Sequence, residues 1–205
     1  MSQTTILQPG QSYNFNHYFD LPFEPEDILK ALNYNLRHDT LELVQGFVPQ
    51  ERLQELQSRI TRSLRYVSLS SCNARREVLV APLLLEVVDL TESQLRIEYP
   101  IQVNEQLQGT IDYYLYREDK QMIVCEAKNN DLTKGFTQLA SQMIALSQWN
   151  SLEANKLLGA VTSGDIWQFG VLHTSSCSVW QDINLFRVPA DLPSLMKVLV
   201  GGLLP

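Results

Sequence analysis

The sequence predicts an α/β (α+β) fold with a mixed central sheet flanked by helices, and changes in hydrophobic spacing carry that prediction. Between residues 50 and 66 apolar residues recur every three or four positions, which is typical of one stripe on a helix. Between residues 94 and 103 they alternate strictly with polar residues, which is typical of a strand. Helical spacing returns at 133–149. Because both periods occur several times, we expect helices packed against a sheet.

Local signals predict each element in chain order. Helices are expected at 25–36, 49–66, 73–88, 133–149 and from 191 to 201–202. Strands are expected at 40–44, 95–103, 110–116, 121–128, 157–162, 165–171 and 178–188. Pro25 and Pro193 lie in first helical turns, where a missing N–H costs little. Pro82 predicts a kink or restart, and Ser163-Gly164 predicts a hairpin turn.

Bulk composition predicts one domain over residues 1–205. The 205 residues, 44% of them apolar, are enough for one substantial core. Within it we expect a helical N-terminal extension (1–70), a core (73–171) and a C-terminal strand and helix (172–205). No apolar run is long enough for a membrane helix, no secretory signal is evident, and three dispersed cysteines favour a reducing cytoplasm. The net charge of −7 disfavours nucleic-acid binding through a broad basic surface.

Two acids and a lysine on neighbouring predicted strands form the main candidate site. Asp112 lies on one strand, and Glu126 and Lys128 share a face of the next because they are two residues apart. The short turn 117–120 makes these strands a hairpin that should bring Asp112 across from Glu126 or Lys128, although a bulge could shift its register. Ile111, Tyr113 and Leu115 are expected to face the core, opposite Asp112.

This set has the chemistry of a divalent-cation site. Paired carboxylates repel each other, and Mg²⁺ relieves the repulsion because it prefers a few carboxylate oxygens plus waters. The carbonyl of Ala127 is a further ligand candidate, and Lys128 could orient water or stabilise departing charge. The alternative is a solvated strand that carries an acid and a lysine for no catalytic purpose.

Other polar residues are candidates for supporting roles. Gln138, in the helix after these strands, or Gln142 one turn later could reach the same corner. Four arginines cluster around the turn between two predicted helices and could contact phosphates, or could simply mark a solvated helix end: Arg62, Arg65, Arg75 and Arg76. No G-x-S-x-G motif and no glycine-rich phosphate loop is present, so neither a serine hydrolase nor an organic cofactor is expected.

The order and motifs together resemble the PD-(D/E)XK nuclease superfamily over residues 73–171. The resemblance is closest to the nuclease domain of type I restriction motor subunits and small stand-alone relatives. Asp112 matches the strand acid, Glu126-Ala127-Lys128 the E-x-K, and Val161–Phe169 a T-x-G-x-x-W-x-F hairpin. Gln138 matches the helix glutamine and Glu86 the acid of the preceding helix; Ile111 stands where many members have proline.

The resemblance implies a restriction-endonuclease-like αβββαβ core and a cytoplasmic Mg²⁺-dependent nuclease that hydrolyses DNA, with Mn²⁺ as a substitute. It implies Glu86, Asp112, Glu126 and the Ala127 carbonyl as metal ligands, Lys128 and Gln138 as catalytic residues, and a homodimer. The alternative is a catalytically inactive protein that keeps this fold as a nucleic-acid-binding or partner-docking module.

Overall fold

The computed structural model describes residues 6–8, 10–126, 131–149 and 155–204, with the backbone alone for Glu126. The helices are α1 (Phe15–Asp20), α2 (Pro25–Ala31), α3 (Gln50–Ser63), α4 (Cys72–Arg75), α5 (Ala81–Thr91), α6 (Leu132–Trp149) and α7 (Leu192–Gly201). A π-helical turn, Arg76–Val80, joins α4 to α5. The strands are β1 (Asn35–Asp39), β2 (Gln94–Gln102), β3 (Gln108–Arg117), β4 (Lys120–Glu126), β5 (Lys156–Thr162), β6 (Ile166–His173), β7 (Ser178–Asp182) and β8 (Phe186–Arg187).

These eight strands form one open mixed sheet with the order β1-β7-β6-β5-β4-β3-β2, and β8 pairs with β6. The pairs β2–β3, β3–β4, β5–β6 and β6–β7 are antiparallel, whereas β4–β5 and β1–β7 are parallel. Helix α6 connects the parallel strands β4 and β5, as a parallel crossover requires. The coarse class predicted from the sequence, a mixed sheet with flanking helices, is confirmed.

Each face of the sheet packs against its own helical layer. The first core contains buried residues of α1, α2 and α6, and the second contains buried residues of α3, α5 and α7. Strand β4 contributes side chains to both cores, since Ile123 belongs to the first core and Met122 and Val124 belong to the second. This is why its central residues are continuously apolar: a strand covered on both faces has no solvent side.

Helix α6 lies close to the sheet because two glycines form its floor. Gly159 of β5 and Gly170 of β6 are directly paired across the ladder. A Cβ atom on Gly170 would lie 2.5 Å from Cζ of Phe136, and one on Gly159 would lie 2.6 Å from Sδ of Met143. The absence of side chains at this pair lets the large residues of α6 pack directly against the backbone of the strands.

The N-terminal segment departs from its predicted form. Helix α2 ends at Ala31 rather than near residue 36, since Asn33 adopts a left-handed φ of 66° that cannot continue a helix. The strand lies at Asn35–Asp39 rather than 40–44, in register with β7. The segment 1–70 is therefore not purely helical: it contributes an edge strand to the sheet.

Three further boundaries differ from the sequence-based expectation. Helix α3 ends at Ser63, and the helix predicted at 73–88 continues to Thr91 after the π-helical turn that directly precedes Pro82. The strand predicted at 178–188 is divided into β7 and β8. Asp182 ends β7 and accepts hydrogen bonds from the backbone N–H and the side-chain amide of Asn184, which turns the chain.

Within the described ranges, no helix combines the length and the apolarity that crossing a lipid bilayer requires.

Candidate active site

Asp112 lies where the regular geometry of β3 is interrupted. Ile111 belongs to the core under α6, whereas Tyr113 and Leu115 belong to the opposite core. The expectation that these three side chains share a face is therefore wrong. The β2–β3 register runs through Ile97↔Tyr113 and Tyr99↔Ile111 but omits Glu98 and Asp112, which stand across from each other between those pairs. Ile111 and Tyr113 are two residues apart, so a regular strand would place them on the same face. Their positions in opposite cores require a break in the pleat between them.

Glu98 supplies the matching irregularity in β2. Its φ of 53° lies in the left-handed region, which a non-glycine residue occupies at an energetic cost. Its carboxylate pairs with Arg76, with 3.2 Å between Nη1 and Oε1. Nε of Arg76 also donates to the hydroxyl of Tyr113 over 2.8 Å, and the guanidinium lies 5.0 Å from the centre of that ring. The π-helical turn is thus tied to both strands beside Asp112.

The ends of β4 and β5 meet beside this break. The β3–β4 ladder ends at Tyr113↔Val124, so Asp112 is one residue and Glu126 two residues beyond the last pair. Continued by one step, this register would place Asp112 opposite Cys125, rather than opposite Glu126 or Lys128 as expected. On its other side Glu126 pairs with Thr162 in the parallel β4–β5 ladder. The backbones of Asp112, in the middle of β3, and Glu126, at the end of β4, therefore lie close together where the β3–β4 ladder ends.

The turn between β5 and β6 is held by its own hydrogen bonds. The hydroxyl of Thr162 donates to the carbonyl of Ile166 and accepts from the N–H of Gly164. The indole Nε1 of Trp167, which is fully buried, donates to the carbonyl of Gly164 over 3.1 Å. Gly164 has a φ of 98°, a conformation that favours glycine. The threonine, glycine and tryptophan of the hairpin motif therefore fix the turn that follows Thr162.

Arg75 and Arg76, predicted to contact nucleic acid, are both engaged within the protein. Arg75 donates to the carbonyl of Leu69 over 2.8 Å and to Sγ of Cys72, and its Cβ lies 3.0 Å from where a Cβ of Gly164 would be. Partial burial opposes the charge of Arg76, but its contacts with Tyr113 and Glu98 outweigh burial and raise its pKa. Both arginines brace α4 and the π-helical turn against the site.

Glu86, the predicted helix ligand, lies on the side of α5 that faces α3. Its carboxylate accepts a hydrogen bond from Nε of Arg52 over 2.6 Å, and its side chain is only 12% exposed. Arg52 also pairs with Asp89, and the two carboxylates raise its pKa. The recorded partner of Glu86 is therefore an α3 arginine. This ion pair joins two helices of the second layer.

The glutamines of α6 lie on the opposite side of the sheet from that ion pair. Helix α6 begins at Leu132, so Gln138 lies well inside it rather than opening it. Gln138 and Gln142 are 3% and 0% exposed. Their amide nitrogens reach Oδ1 of Asn16 and the carbonyl of Thr110, each over 3.5 Å. In the described part of the chain their Oε1 atoms have no hydrogen-bond partner.

Two predicted site residues, Ala127 and Lys128, lie outside the described residues, as does the side chain of Glu126. Among the side chains that are described, no three of His, Cys, Asp and Glu converge as a metal-ligand group. The structure thus brings the backbones at Asp112 and Glu126 together, and it places Glu86, Gln138 and the two arginines with other partners.

The structure adds Glu98 and Tyr113, which the sequence pattern did not indicate as site residues, and it pairs Thr162 of the hairpin motif with Glu126. In the sequence, Glu98 looks like an ordinary outward-facing residue of the alternating strand β2, and Tyr113 looks like a core residue of β3. The register reveals that Glu98 lies across from Asp112 and that Thr162 pairs with Glu126, and a side-chain hydrogen bond shows that Tyr113 anchors Arg76. A local pattern contains no signal for such pairings.

No protein-family model matches the chain, and no curated protein sequence matches it significantly.

Proposed function

We propose that this protein is a Mg²⁺-dependent nuclease that hydrolyses phosphodiester bonds of DNA, on a restriction-endonuclease-like core. The observation that carries the proposal is that the backbones of Asp112 and Glu126 lie close together just beyond the last pair of the β3–β4 ladder. The order α5, β2, β3, β4, α6, β5 supports it, as does the sheet: three antiparallel strands followed by a parallel crossover to β5.

The donor chemistry fits a hard divalent cation. Asp112, Glu126 and the Ala127 carbonyl would hold it, since all three supply oxygen ligands of the kind that Mg²⁺ prefers. When bound, the ion would activate water and neutralise charge that develops on the phosphate. We leave Glu86 out of this set because its carboxylate is engaged by Arg52.

The remaining residues would position the reacting groups. The ammonium of Lys128 would orient a water molecule toward the phosphorus and stabilise the negative charge that grows on the phosphate oxygens. Glu98, Arg76 and Tyr113 would hold the interrupted segment of β3 in place, so that Asp112 meets Glu126 at a fixed separation. Gln138, now buried beside Asn16, would support the site from α6.

The test is cleavage of supercoiled plasmid DNA in Mg²⁺, Mn²⁺ or Ca²⁺, comparing Lys128→Ala with the parent. Lys120→Ala is the matched control, because Lys120 begins the same strand and pairs only with the neighbouring Asp119 in the recorded ion pairs. We expect cutting with Mg²⁺ and Mn²⁺, a loss of at least a hundredfold in Lys128→Ala, and little change in Lys120→Ala. Equal cutting by Lys128→Ala and the parent would refute the assignment.

The alternative proposal, an inactive binding or docking module, predicts a different outcome of the same experiment. DNA would then stay intact with every metal. A nucleic-acid-binding module would retain the DNA in a binding assay, whereas a partner-docking module would not.

A further inference from the structure

The solvent face of α3 carries a surface hollow of about 500 Å³. Its lining residues share one property, since each is a neutral hydrogen-bonding residue or an arginine: Gln54, Gln57, Ser58, Thr61, Arg62 and Arg65. We call this set the α3 polar face. Glu51 and Glu55, the acids of the same helix, are not among the lining residues. In a chain with 23 acidic and 16 basic residues, a lining free of carboxylates is a local reversal of charge.

The two arginines of this face differ from most arginines near the candidate site. Arg52 and Arg76 are held by carboxylates, and Arg75 by Leu69 and Cys72. Arg62 and Arg65, in contrast, are exposed, and the ion pairs recorded among the described residues include neither.

The helix that carries the α3 polar face belongs to the helical layer that braces the candidate site, against which its buried side packs. Helix α3 contacts the π-helical turn that holds Arg76 beside Tyr113, and it also contacts α5 and α7. From Arg65 the chain continues through the short segment 66–70 to Ser71. The hydroxyl of Ser71 accepts from the N–H of Ala74 and so caps α4. A ligand on α3 that extends past Arg65 therefore approaches the same helical layer that braces Asp112.

We propose that the α3 polar face binds the sugar–phosphate backbone of duplex DNA and directs it toward the candidate site. Amide, hydroxyl and guanidinium donors are the groups that contact phosphate and sugar oxygens without reading sequence. From Gln54 to Arg65 the face extends about 16 Å at 1.5 Å per residue, which covers several phosphates of one strand. This local surface reconciles an acidic protein with a polyanionic ligand. The inference rests on the proposed nuclease function, because that function supplies DNA as the ligand.

The experiment measures binding without cleavage. A fluorescein-labelled 20-base-pair duplex is titrated by anisotropy with the Lys128→Ala protein in Ca²⁺ at 0.05 to 0.2 M NaCl. Into this background are introduced Arg62→Ala/Arg65→Ala and, as the matched control, Arg59→Ala. Arg59 is an exposed arginine of the same helix that does not line the hollow. Circular dichroism and thermal melting check that each variant is folded.

We expect the double variant to bind at least tenfold more weakly at 0.1 M NaCl. We also expect its slope of log K against log salt to be smaller in magnitude by about two, because two phosphate contacts are lost. Arg59→Ala should change both quantities little.

The inference is overturned if the Lys128→Ala protein does not bind the duplex. It is also overturned if the Arg62→Ala/Arg65→Ala variant binds the duplex as tightly as the Lys128→Ala protein, or if Arg59→Ala weakens binding as much as the double variant. The inference is likewise overturned if the α3 polar face binds an acidic protein and does not bind DNA. Failure of the nuclease proposal is recognised separately, as intact plasmid, and can coexist with binding through the α3 polar face.

Discussion

Replacement of Gly170 by alanine tests whether the glycine floor sets the position of α6. The new Cβ would lie 2.5 Å from Cζ and 2.7 Å from Cε2 of Phe136, and 3.2 Å from the carbonyl oxygen of Trp180. Ordinary contact begins near 3.4 Å, so the ring must move by about 1 Å. An aromatic ring that is only 1% exposed has little room to do so.

The size of the effect follows from what the methyl group meets. Overpacking a close-packed core costs about 1–3 kcal/mol, and a rigid ring together with a backbone carbonyl favours the upper half of that range. For a chain of this length the melting temperature should fall by roughly 5–10 °C. Gly159→Ala is the matched control. Its Cβ would meet the flexible side chains of Met143 and Leu139, which can yield, so its cost should be smaller.

The assay is urea unfolding monitored by circular dichroism, with the free energy of unfolding extrapolated to water. A Phe136→Leu replacement added to Gly170→Ala should recover part of the loss, because the smaller side chain vacates the space. A Gly170→Ala protein as stable as the parent, or less affected than Gly159→Ala, would refute the close approach of α6 to the sheet.

Two further predictions concern single charged groups. Burial, together with the charge of Lys156, lowers the pKa of His173, so below its ordinary pKa of 6.5 the unfolded chain binds more protons than the folded protein. Stability should therefore decline as the pH falls below about 6.5 and level off below the folded pKa, and His173→Gln should remove this decline; an unchanged pH profile of unfolding in the variant would contradict the assignment. Glu86→Gln should lower the melting temperature and leave plasmid cleavage unchanged, because Glu86 binds Arg52; loss of cleavage in a folded Glu86→Gln protein would restore Glu86 to the metal site.

The elements that sequence reasoning placed well are those whose evidence is local. Alternation in β2, the apolar run of β4 and the helical spacing of α6 each indicated an element where the structure has one, although β2 is interrupted at Glu98. The hairpin turn at Ser163-Gly164 was likewise recognisable, because its glycine has a positive φ that few other residues adopt.

Sequence reasoning missed features that depend on contacts between distant parts of the chain. Strand β1 exists because it pairs with β7, which lies far along the sequence. Glu86 looked like a lone acid in an apolar helix because its partner, Arg52, belongs to another helix. The side change at Asp112 depends on the left-handed Glu98 in the opposite strand, and alternation alone cannot predict a break in the pleat.

The candidate site shows the same division. The closeness of the backbones at Asp112 and Glu126 was predictable, because consecutive strands joined by a short turn pair as a hairpin. The supporting contacts of Arg75 and Arg76 were not predictable, since exposed and inward-turned arginines look alike in a sequence. Arg62 and Arg65 were candidate phosphate contacts from the sequence, and the structure adds the neutral residues beside them and the absence of Glu51 and Glu55 from the lining of the hollow.

The most direct test of the account is the equilibrium binding of Mn²⁺, measured from the electron paramagnetic resonance signal of the free ion without DNA. The parent should bind Mn²⁺, Asp112→Asn should bind it at least tenfold more weakly, and Glu86→Gln should bind it as the parent does. If Asp112→Asn binds Mn²⁺ as tightly as the parent, Asp112 does not hold the cation and the proposed nuclease site is wrong.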